Sequence, residues 1–82
     1  MESGYQFENN GTQLVCILFY SLGKRNVGLY QQIATDIYIT ARDISKEKDG
    51  TYSWAWGHYF TDQKESLDDY YERISEMRKY TD

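Results

Sequence analysis

The 82-residue chain has no proline, one cysteine and one histidine. A single cysteine cannot close an internal disulfide. Cys16 lies inside the apolar run 14–20, where a buried, inert thiol is expected. The chain therefore reads as a cytoplasmic protein kept reduced. One histidine and one cysteine fall short of the four ligands zinc usually takes, so no metal site is assigned. Gly23 and Gly28 stand alone rather than in a phosphate-binding loop, and no cofactor is expected. Cys16 and His58 form the only nucleophile–base pair of the cysteine type, one on an apolar strand and the other on an aromatic one, so no catalytic residue is assigned and a non-enzyme is expected. Long hydrophobic runs are missing, which excludes a membrane-spanning helix. The opening Met-Glu-Ser-Gly has neither the basic region nor the apolar core of a secretion signal, so the Asn10-Gly11-Thr12 glycosylation triplet is better used as a turn. A basic excess is also missing. Thirteen acidic and nine basic residues give a net charge of −4, which argues against direct binding of nucleic acid.

What the chain has instead is aromatic. Nine tyrosines and both tryptophans are unusual for this length, and tyrosine suits either a small core or a protein–protein contact. In residues 52–60, Tyr52, Trp54, Trp56, His58 and Phe60 share one parity, while Ser53, Ala55, Gly57 and Tyr59 share the other. A strand sends alternate side chains to opposite faces, so this pattern predicts one bulky face, laid against the helix that follows. Asp62 is a good N-cap for that helix, with Glu65 placed three residues on as in a capping box. Leu67, Tyr70, Tyr71, Ile74 and Met77 then recur at spacings of three and four, which predicts an amphipathic helix over 62–77.

Upstream, Asn10-Gly11 predicts a two-residue hairpin turn that sets Phe7 opposite Leu14 and Tyr5 opposite Cys16. Residues 14–22 are apolar on both parities, as in a central strand. Residues 21–26 read as an exposed loop carrying the basic pair Lys24 and Arg25. The stretch 27–44 fits a helical stripe as well as a strand. The β-branched residues Thr35, Ile37, Ile39 and Thr40 favour a strand over 35–44, with 27–34 left open. Asp49-Gly50 predicts a second tight turn, which would set Ile39 opposite Phe60, Ala41 opposite His58 and Asp43 opposite Trp56. The expected fold is α+β: one domain over 1–82, an antiparallel meander of about four strands, and one C-terminal amphipathic helix packed on one face.

The helix is the most distinctive surface. Asp62, Glu65, Asp68, Asp69, Glu72, Glu76 and Asp82 outnumber Lys64, Arg73, Arg78 and Lys79. The helix dipole and solubility explain part of this. The functional reading is a row of carboxylates (Glu65, Asp68, Asp69, Glu72 and Glu76) that meets a larger protein with a basic groove, with Tyr59, Tyr70 or Tyr80 as apolar anchors at its edge. In its size, acidity and acidic helix the chain resembles the small phage and mobile-element inhibitors of host-defence nucleases, anti-CRISPR proteins among them. That resemblance implies a binding protein that blocks the nucleic-acid site of a nuclease. Its charge is smaller than that of the strongest DNA mimics in that group. The alternative reading is a structural or assembly module that forms homodimers through a sheet edge or the aromatic face. A third class, stacking of bases on Trp54, Trp56 or Tyr59, requires those rings to be exposed.

Overall fold

Asn10 and Gly11 both take positive φ, at 52° and 81°, the conformation whose twist matches the flanking strands of a tight hairpin. Phe7 stands opposite Leu14, and the Cys16 N–H donates to the Tyr5 carbonyl at 2.8 Å, so the expected register forms. In the computed structural model, which describes residues 1–80, this hairpin (β1, Gln6–Asn9; β2, Thr12–Leu22) begins an antiparallel meander of five strands. The strands β3 (Arg25–Gln32), β4 (Tyr38–Lys46) and β5 (Tyr52–Phe60) follow in chain order, and α1 (Gln63–Tyr80) completes the fold. Asp82, the last carboxylate of the acidic segment, lies outside the described residues. No helix among the described residues is long and apolar enough to cross a membrane.

The strand beyond the expected four is β3, in the stretch that periodicity left open. Its Val27 and Leu29 face the helix while Tyr30 faces the opposite core, and all three are fully buried. A strand covered on both faces has no polar side to alternate with. Gly28 is required there, because a Cβ would overlap the Tyr30 ring and hydroxyl. The expected loop at 21–26 reduces to a turn at Gly23 and Lys24, with β3 starting at Arg25. Arg25 is not a free solvated cation, since its guanidinium pairs with Asp43 at 3.1 Å.

The pairing of β4 with β5 also differs from expectation. Tyr38 faces Phe60, Ile39 faces Tyr59 and Thr40 faces His58. The connection spans 47–51 and is closed by the Glu47 N–H donating to the Thr51 carbonyl at 2.7 Å, so it is longer than the two-residue turn that Asp49-Gly50 suggested. A one-residue slip changes which side chains share a face. Two bulges then offset each other. An extra residue in β5 at Trp56 (φ 54°) shifts the register, and one in β4 at Asp43 (φ 55°) restores it. The Asn26 amide bridges the gap beside Asp43, accepting the Ile44 N–H at 2.9 Å and donating to the Ile44 carbonyl at 3.1 Å.

The bulge splits the aromatic parity of β5. Tyr52 and Trp54 pack on the core around Tyr30, away from the helix, whereas His58 reaches the helix, with the Phe60 ring edge-on to the imidazole. A bulge at Ile17 does the same for β2: Leu14 and Cys16 enter one core, and Leu18 and Tyr20 pack against the other. Cys16 is buried as expected, and burial pushes its thiol up from the usual range.

Around Tyr30 the sheet curls until its first and last strands meet. Phe7 and Tyr52 rings approach to 4.7 Å, the Tyr5 and Tyr52 hydroxyls to 3.3 Å, and the Tyr52 N–H donates to Asn9 Oδ1 at 3.3 Å. Tyr30 lies within, edge-on to Phe7 and stacked on Trp54 at 6.1 Å. On the outer face α1 crosses β3, β4 and β5, burying Tyr70 and Met77 on Val27 and Leu29. Asp62 caps it as expected, its Oδ1 accepting the Lys64 N–H at 2.9 Å. Tyr71, expected in the apolar stripe, is exposed, and Arg73 is buried beside the stripe instead.

Candidate functional site

Between β5 and α1 runs a charged cleft of about 240 Å³, lined by Arg42, Trp56, His58, Asp69, Glu72, Arg73 and Glu76. The helix supplies Asp69, Glu72, Arg73 and Glu76 because spacings of three and four bring them to one side. The sheet supplies the rest, with the Trp56 bulge setting their order.

Arg73 is the centre of the arrangement. Its side chain is 7% exposed, its Nε donates to Asp69 Oδ2 at 3.0 Å, and a terminal nitrogen donates to the Trp56 carbonyl. One buried guanidinium thus joins the helix to the bulge, which its fork of donors permits. Asp69 Oδ2 also accepts the Thr40 hydroxyl at 2.5 Å, and His58 Nδ1 lies 3.0 Å away. Burial acts to raise the Asp69 carboxyl, but the bonds from Thr40, His58 and Arg73, with the Arg73 charge, outweigh it and hold the group below the usual carboxylate range. Asp69 is accordingly a fixed anion with its Oδ2 occupied.

Trp56 is presented rather than packed. Its ring is 70% exposed, with the Arg42 guanidinium 5.9 Å from the ring centroid. The Arg42 Nε is buried and has no acceptor among the described residues. A non-glycine residue at positive φ is costly and persists only where surrounding contacts fix it. Here Arg73 grips the carbonyl and Arg42 underlies the ring.

Glu65, Asp68, Glu72 and Glu76 are exposed on α1, as the carboxylate row requires. Asp68 pairs with Lys64 at 3.3 Å, whereas Glu65, Glu72 and Glu76 make no ion pair among the described residues. Asp69 is turned inward and belongs to the support of the bulge. Two of the expected anchors are displaced. Tyr70 is 4% exposed in the core under the helix, because the apolar stripe it shares with Met77 packs on Val27 and Leu29. Tyr59 is exposed but stands opposite Ile39 on the far face of the sheet, away from the acidic row. Tyr80 is exposed at the end of α1. Of the rings considered for base stacking, Trp54 is partly buried on the Tyr30 core, while Trp56 is open but rimmed by Glu72 and Glu76.

Sequence reasoning passed over Thr40, Arg42 and Arg73, and laid Trp56 in the core. The one signal was Gly57, which weakens a strand and often marks a bulge. Among the described residues no group of three His, Cys, Asp or Glu side chains is arranged to hold a metal ion. The site is a fixed tryptophan between two arginines and a carboxylate row. Comparison of the chain with protein-family models, with curated proteins and with solved structures gave no match.

Proposed function

We propose that this chain is a non-enzymatic binding protein that inhibits or regulates a larger partner, and that Trp56 is the centre of the contact. The single observation behind this reading is the exposed Trp56 side chain, held at positive φ by a buried arginine beside Glu72 and Glu76, which make no ion pair among the described residues. Tryptophan in such a setting is a typical interface hot spot, and surrounding charge sets the choice of partner and the rate of encounter. Glu65, Asp68, Glu72 and Glu76 favour a basic groove, of the kind nucleic-acid-handling effectors carry. The chain would then act in the manner of the small inhibitors of host-defence nucleases, with carboxylates standing where phosphates bind. The acidic rim and the net charge of −4 disfavour nucleic acid itself as the ligand.

The test is retention of partners from source-cell lysate by tagged protein, compared across variants. Trp56→Ala and the pair Glu72→Lys, Glu76→Lys should each lose a partner that wild type retains at low salt and releases as salt rises. Equal retention by all three proteins would overturn the reading. Sedimentation as a concentration-dependent dimer, with no other protein retained, would replace it with the assembly module.

A further inference from the structure

A second cavity, of about 420 Å³, opens on the face of the sheet turned away from α1, where the Asn10-Gly11 turn meets β5 across the curled sheet. It is separate from the Trp56 surface and independent of the proposal above. Asn9, Thr12, Gln32, Trp54, Ser53 and Tyr59 are among its walls, and none of its lining side chains is charged. The protein orients two of the amides. Asn9 Oδ1 accepts the Tyr52 N–H at 3.3 Å, and Gln32 Oε1 accepts the Thr35 hydroxyl at 2.6 Å. Each oxygen thus has one of its two lone pairs engaged, which fixes the amide plane, and each amide leaves its NH₂ on offer. Trp54 is fixed from behind by its stack on Tyr30, at an interplanar angle of 12°. Gly57 adjoins two of the lining rings: a Cβ there would lie 3.0 Å from Trp54 Nε1 and 3.7 Å from the Tyr59 ring.

We infer that this cavity binds a single neutral sugar ring. A pyranose has an apolar C–H face to lie against an aromatic ring and a rim of hydroxyls to meet the amide donors and the Thr12 hydroxyl. The volume is of the size that small ligands occupy. An anion finds no lysine or arginine in the lining, and a cation finds no carboxylate.

Trp56→Phe leaves Trp54 as the only tryptophan and so provides an internal fluorescence reporter. This variant is titrated with a panel of neutral mono- and disaccharides, and in parallel with nucleosides and sugar phosphates. A neutral sugar should give a saturable change in Trp54 emission, half-complete at roughly 1–10 mM, the range of a few hydrogen bonds and one ring face. Adding Gln32→Glu, which replaces the amide donor by an acceptor, should weaken the response at least tenfold while circular dichroism is unchanged. Gly57→Val should do the same by displacing the Trp54 and Tyr59 rings; if that variant does not fold, the Gln32→Glu result decides. No saturable response to any neutral sugar, saturation by nucleosides alone, or equal saturation in Gln32→Glu would each overturn the assignment.

Discussion

Tyr30 sets the terms at the scale of single residues. It is fully buried, its hydroxyl has no partner among the described residues, and it lies directly over Gly28. An unpaired buried hydroxyl costs about 1–3 kcal/mol, so Tyr30→Phe should leave the fold as stable as wild type or raise it by roughly 1 kcal/mol. A fall in the urea midpoint would show that the hydroxyl is bonded. Gly28→Ala drives a methyl into the same ring and should cost about 1–3 kcal/mol or prevent folding. Burial also moves the phenols. Tyr30 is held far above the usual tyrosine range, and burial with the nearby Tyr71 pushes Tyr70 up to about 12. Because these folded-state values lie above the unfolded value of about 10, the stability they contribute is complete below that pH and is lost as pH rises through the folded values. Ultraviolet titration should accordingly show part of the tyrosines ionising only as the chain unfolds in base. Arg73→Lys keeps the charge but cannot bridge Asp69 and the Trp56 carbonyl together. It should cost about 1–3 kcal/mol in thermal unfolding.

Among the elements, β5 carries most of the information and was the least legible. The Asn10-Gly11 hairpin and the Asp62 cap could be read in sequence because each depends on neighbouring residues alone. The row Glu65, Asp68, Glu72 and Glu76 was legible for the same reason, as helical spacing is local. β3 was not, since burial on both faces erases alternation, and Gly28 is explained only by Tyr30 above it. The positions of Trp56 and Tyr59 depend on the bulge, whose carbonyl Arg73 holds across a separation of seventeen residues, whereas the burial of Tyr70 follows from its place in the apolar stripe of α1. Trp56→Gly separates fold from contact. Glycine relieves the positive φ, whose cost is of order 1–3 kcal/mol, while the ring's interaction with Arg42 is lost, worth about 0.5–1 kcal/mol. Denaturation should therefore show stability unchanged or slightly raised, in a protein that on the proposed function loses the partner wild type would retain.

For the whole molecule, Asp69 links stability to pH on the acid side. Asp69 is faced by Thr40 and Arg42 from β4, by His58 from β5 and by Glu72 and Arg73 from its own helix. Its folded-state value is depressed. Its contribution is therefore present above the unfolded value of about 3.9 and is lost as pH falls through the lower folded one. Asp69→Asn should be less stable at neutral pH and lose less further stability on acidification, as urea unfolding across that range would record. The closure of the sheet has a different consequence. β1 and β5 meet through side chains at Tyr5, Asn9 and Tyr52 rather than through a hydrogen-bonded ladder. The circuit of strands thus has a seam, and β1, paired on its other side with β2 alone, can peel away from β2 and β5 without breaking any backbone pairing of β3 or β4. Amide protons of β1 should exchange through such partial openings, while those of Val27 and Leu29, covered on both sides, should wait for global unfolding.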